Sequence, residues 1–110
     1  MKPNILFLTI DSLRLDRIFS KNKTAKIPNI EKLIDCGIFF ENAISTSDAT
    51  GLSLGSIFSS MYPFRSGITH YKWNSKIRNC FDVLKDNNYI LFSTVPDVSF
   101  FLNQTSKFDF

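Results

Sequence analysis

Cysteine, glycine, clustered charge and long apolar runs are all scarce in this 110-residue sequence, and each scarcity excludes something. The two cysteines, Cys36 and Cys80, each fall inside an apolar helical pattern. They read as buried free thiols rather than a disulfide or a metal pair. Four glycines stand against twelve phenylalanines, a balance that favours burial over disorder. No glycine-rich phosphate loop is recognisable, so a small flavodoxin-like domain ranks last among the readings. Charge is modest, +3, and no block of Lys or Arg stands out, so charge alone indicates neither nucleic acid nor an anionic membrane as a partner. Near the N-terminus the longest apolar stretch covers residues 5–10, far short of a membrane span and of a usual signal-peptide core. The chain is expected to be soluble, unexported and cytoplasmic. Internal repeats and low-complexity segments are lacking as well.

What is present suits one domain with a core: 44% of the residues are hydrophobic. Residues 4–10 read as a strand, a continuous apolar run that suits the centre of a parallel sheet. A helix is expected over 27–36, with Pro28 at its first position, Ile30, Leu33 and Ile34 on one face and Gly37 at its end. Residues 38–43 read as a short strand. Another helix is expected over 50–61, where Leu54, Ile57, Phe58 and Met61 form a stripe, Thr50 suits the N-cap and Tyr62-Pro63 stops the pattern. Residues 79–86 read as a short helix with Cys80, Phe81 and Leu84 inward and Asn88 as a left-handed end. Residues 89–95 give a third strand. This order implies an α/β fold on a mostly parallel sheet. After Pro96 the pattern decays into Phe-rich sequence without clear punctuation.

Two residues could carry chemistry. Asp11 falls at the carboxyl end of the first expected strand, where ligands collect in open parallel sheets, and a carboxylate there can bind a divalent cation. An Asp that only caps the turn fits the same position. Thr50 opens a helix whose first N–H groups are unpaired and suit phosphate or sulfate oxygens. Its hydroxyl, beside a metal, could attack the central atom of such an anion, and Gly51 and Ser53 leave room for a substrate. A plain N-cap threonine is the competing reading.

The stretches KPNILFLTIDSLRLDR, IPNIEKLIDCGIFFENAIS, GSIFSSMYPFRSGI and FDVLKDNNY resemble the successive N-terminal blocks of the sulfatase family, in the alkaline-phosphatase-like superfamily, a resemblance that covers roughly residues 2–95. The resemblance implies the N-terminal portion of a large α/β sandwich. It also implies metal-assisted hydrolysis or transfer at a sulfate or phosphate ester, with a divalent ion (Ca, Mg, Mn or Zn) as cofactor. Asp11 takes the role of metal ligand, in an Asp11-Ser12 pair where the family often has two aspartates. The nucleophile position falls on Thr50, which would also touch the metal through its hydroxyl. Sulfatases carry there a Cys or Ser that becomes formylglycine, within Cys/Ser-x-Pro-x-Arg; here the stretch is Thr50-Gly51-Leu52-Ser53-Leu54. Thr50 thus resembles the unmodified threonine nucleophile of the phosphodiesterase and phosphoglycerol-transferase branches. The family's Lys and His after the third strand have no counterpart in STVPDVSFF, and His70 falls at no ligand position, as a surface or supporting residue would.

The family's other metal ligands lie further along than residue 110. Residues 1–110 are therefore expected to be a partial sulfatase-like N-terminal domain, truncated relative to the family and inactive alone. A cut sheet would expose an edge through which the piece could associate with another molecule or with a missing C-terminal part. The competing expectation is a non-catalytic remnant, or an α/β fragment that works by binding a partner.

Overall fold

The computed structural model describes residues 2–21, 23–95 and 104–110. Its helices are α1 (Leu15–Ile18), α2 (Pro28–Cys36), α3 (Thr50–Ser59), α4 (Pro63–Ser66) and α5 (Cys80–Asp86), followed by a 3-10 turn at Thr105–Lys107. None of the described residues belongs to a strand. The expected strands over 4–10, 38–43 and 89–95 do not form, and the α/β sandwich on a parallel sheet is corrected to a helical architecture. Among the described residues there is therefore no sheet edge to associate through. An apolar run becomes a central strand only if other strands satisfy its backbone groups and helices cover both faces. Here Ile5, Leu6, Phe7, Leu8 and Ile10 remain between 49% and 88% exposed. Residues 96–103, including most of STVPDVSFF and the Phe-rich stretch after Pro96, lie outside the described residues.

The chain divides into two compact units, Met1–Ala43 and Ile44–Phe110. In the first, Asp11 lies in a turn and Ser12 adopts a left-handed backbone, φ 57°. Arg14 donates Nε and Nη2 to the two carboxylate oxygens of Asp16 at 2.8 and 2.9 Å, across the start of α1. Ile18 is the buried apolar side chain of this unit. Pro28 sits in the first turn of α2, as its fixed φ favours. Gly37 ends that helix by close approach: a Cβ there would lie 2.9 Å from the Leu33 carbonyl oxygen. The face expected to be inward is covered only in part, Ile30 and Ile34 being half-buried and Leu33 exposed, and Cys36 is a free but exposed thiol.

The second unit holds a small core. Leu54 and Phe58 of α3, Ile68 and Trp73 are buried together, and Phe81 of α5 packs against them. The inward arc of α3 is Gly51, Leu54, Gly55 and Phe58, whereas Ile57 and Met61 are exposed. That is the i, i+3, i+4, i+7 arc of a helix, with two glycines on it. Gly55 lets the backbone come close to Ile68, because a Cβ there would lie 2.9 Å from Ile68 Cγ2. Ser60, φ 56°, ends α3, and Tyr62, extended before proline, leads into α4. α3 packs against both α4 and α5.

α5 begins with a capping box: the Asn79 side chain accepts from the Phe81 and Asp82 N–H groups, while Asp82 accepts from the Asn79 N–H. Asn88 has φ 55°, the left-handed end expected of it. Phe81 and Leu84 are half-buried, but Cys80 faces solvent as a free thiol, so neither cysteine is buried as expected. Segment 104–110 lies against α5. The Asn79 Nδ2 donates to the buried Gln104 Oε1 at 2.9 Å. Lys107 Nζ meets both Asp82 oxygens at 2.6 and 2.7 Å. Asp109 accepts from the Leu91 N–H at 2.8 Å and pairs with Lys85. Phe108 packs on Phe81, ring centroids 5.0 Å apart.

Candidate functional site

Thr50 is the first helical residue of α3, and Ala49, with extended backbone (φ −108°, ψ 134°), is the N-cap. The N-cap reading of Thr50 is therefore corrected by one position. The physical reason is visible in the first helical bond: the Ser53 N–H donates to the Ala49 carbonyl at 2.9 Å, so the helix starts after Ala49. The alanine methyl cannot cap, and no side chain caps α3. Thr50 itself is exposed, with buried Gly51 behind it and half-buried Ser53 one turn on.

Ser45, Ser47 and Ser53 form a hydroxyl network around that helix start. Ser45 Oγ donates to the Ser47 carbonyl at 2.6 Å and lies 2.9 Å from Ser53 Oγ. The Ser47 N–H points at Ser45 Oγ from 3.4 Å, and Ser47 Oγ accepts from the Ala49 N–H at 3.3 Å. Sequence reasoning named Ser53 as a small neighbour and as the nearest other hydroxyl on the helix, and did not single out Ser45. The one available signal was the density of hydroxyls in Ser45-Thr46-Ser47 directly before the helix.

Asp11 belongs to the other unit and is exposed in its turn. The nearest acidic residue along the chain, Asp16, is already committed: the Arg14 hydrogen bond holds its carboxyl below the usual carboxylate range. Among the described residues no group of three His, Cys, Asp or Glu side chains comes together to hold a metal ion. Hard divalent cations take six or more oxygen ligands, so Asp11 and one threonine hydroxyl do not make a site. His70 is exposed in the loop after α4, edge-on to Tyr71 with ring centroids 4.5 Å apart, which agrees with a surface residue.

No helix among the described residues is long and apolar enough to cross a membrane. No curated protein and no solved structure matches the chain. A protein-family model does: the one described as Sulfatase matches residues 3–109, nearly the whole length. Members of that family act on sulfate esters and generally use a divalent metal. The order of the four N-terminal blocks and a match over residues 3–109 lead to one conclusion: this chain belongs to the sulfatase family.

Proposed function

We propose that residues 1–110 supply the N-terminal, nucleophile-bearing part of a hydrolase that cleaves or transfers a sulfate or phosphate ester, with Thr50 as the nucleophile and Asp11 as one metal ligand. The observation that carries the reading is the exposed Thr50 hydroxyl at the first position of a ten-residue helix, in a chain of the sulfatase family. A hydroxyl there attacks the central sulfur or phosphorus while helix N–H groups steady the charge that develops on the non-bridging oxygens. The described residues do not complete a metal site, so any metal would need ligands beyond Asp11 and the Thr50 hydroxyl.

That incompleteness favours a second reading for the chain by itself, a non-catalytic piece that acts by binding a partner. The test is turnover of matched aryl sulfate and aryl phosphate substrates by the 110-residue chain and by any longer protein that carries it. The chain alone is expected to be inactive. In an active longer protein, Thr50→Ala should abolish turnover and Thr50→Ser should retain part of it. Full activity in Thr50→Ala would remove Thr50 from the mechanism, and turnover by the isolated chain that vanishes in Asp11→Ala would overturn the expected inactivity.

A further inference from the structure

From the hydrogen bonds around α3 we infer that Ser45 and Ser53 are positioning residues, which clasp the chain on either side of Thr50 and fix where its side chain sits. The inference rests on the reading of Thr50 as nucleophile. Its basis is a proton count. A serine hydroxyl has one hydrogen to give and two lone pairs to accept with. Ser45 gives its hydrogen to the Ser47 carbonyl, 2.6 Å away. In the 2.9 Å contact between the two hydroxyls, Ser53 must therefore be the donor and Ser45 the acceptor. The direction of the chain of bonds is fixed: Ser53 to Ser45 to the carbonyl of Ser47.

The bonds bracket Thr50. Ser45 lies five residues before it and Ser53 three after, so their contact closes a loop with Thr50 inside. Within that loop Ser47 Oγ takes the Ala49 N–H at 3.3 Å. An N-cap side chain usually anchors a helix start, and Ala49 offers none. The serine pair takes over that work from outside the cap position. It also commits the Ser53 proton, so Ser53 supports the neighbouring hydroxyl rather than competing with it.

The experiment replaces Thr50 by a reporter thiol in the 110-residue chain, in a background with Cys36→Ser and Cys80→Ser. A thiol fixed at a helix start ionises more easily than a loose one, and alkylation by iodoacetamide reads its thiolate fraction. The pH profile of alkylation at position 50 is measured with Ser45→Ala, Ser53→Ala, both together, and Ser45→Thr. Each alanine is expected to shift the profile to higher pH and slow alkylation at pH 7 about two- to fivefold, the range for losing one modest hydrogen bond. The double variant should be no slower than the slower single one, because both remove the same bond. Ser45→Thr, which keeps the hydroxyl, should restore the profile. Unchanged profiles in both alanine variants, or losses that add in full, would overturn the inference. So would a matching loss of helical circular dichroism, which would show a general effect on folding. Thiol ionisation is read without turnover, so failure here leaves the nucleophile role of Thr50 to be decided by the ester assays.

Discussion

At position 55 two residue-level effects oppose each other, and their sizes decide the sign. Gly→Ala in a helix interior ordinarily stabilises by about 1 kcal/mol. At Gly55 the added Cβ would lie 2.9 Å from Cγ2 of Ile68, a β-branched side chain with restricted rotamers that is 3% exposed. Overpacking of that kind costs about 1–3 kcal/mol, so Gly55→Ala should destabilise the Ile44–Phe110 unit. Ile68→Leu removes the offending branch, and the double variant should recover part of the loss in a urea titration. The other residue-level expectation concerns Thr50. Threonine carries a methyl group on the carbon that would have to become the aldehyde of formylglycine, so it can serve only as a hydroxyl. Thr50→Cys should not raise sulfatase activity beside a modifying enzyme, because Leu54 stands where the family motif has Arg; a rise in aryl sulfate turnover would refute this.

Among the elements, α5 and segment 104–110 depend on each other through Asn79, Asp82 and Asp109. Asn79→Ala removes the cap, a loss of about 1 kcal/mol, and deprives buried Gln104 of its donor, which adds about 1–3 kcal/mol. Burial pushes the Asp82 carboxyl upward, but the Lys107 hydrogen bond and then the Asn79 N–H outweigh it, and the net value is lowered. Asp109 is lowered by the Leu91 N–H and then by Lys85. A lowered carboxylate contributes stability that is complete above its unfolded value, about 4, and is lost as pH falls through the folded value. Acid should therefore loosen 104–110 from α5 below about pH 4, and Lys107→Met should flatten that dependence in pH-resolved thermal melts. Some helix ends were legible beforehand because punctuation is local: Pro28 opens α2 and Asn88 has the left-handed backbone expected after α5, whereas Tyr62-Pro63, read as the stop of α3, opens α4, and it is Ser60 that ends α3. The inward arc of α3 was misread because glycine is not counted as apolar, so Gly51 and Gly55 dropped out and Ile57 and Met61 took their place. The contacts of Lys107 and Asp109 with α5 join residues 24 or 25 apart, a pairing that no local pattern encodes.

Across the whole molecule, the strands failed for the same reason. Apolar composition in 4–10 and 38–43 records that these residues need burial but not what buries them. Of the candidate site, the location of Thr50 at a helix start was legible, whereas the serine bonds around it depend on side-chain geometry. Ile5, Leu6, Phe7, Leu8, Ile38 and Phe40 are all more than half exposed in the Met1–Ala43 unit. That much apolar surface is an association hazard. The 110-residue chain should sediment as concentration-dependent oligomers, and Leu6→Lys with Leu8→Lys should move it toward monomer. A wild-type chain that stays monomeric at high micromolar concentration would contradict this.

Trp73 gives the molecule an unplanned optical asymmetry. It is the sequence's single tryptophan, and it is 5% exposed within the core formed by Leu54, Phe58 and Ile68. Excited at the red edge of its absorption, the chain emits from Ile44–Phe110 alone, while Met1–Ala43 stays dark. Ellipticity, by contrast, sums α1 and α2 with the helices of the other half. A denaturant titration followed at both wavelengths thus compares one half with the total, and any gap between the two midpoints measures how independently the halves unfold.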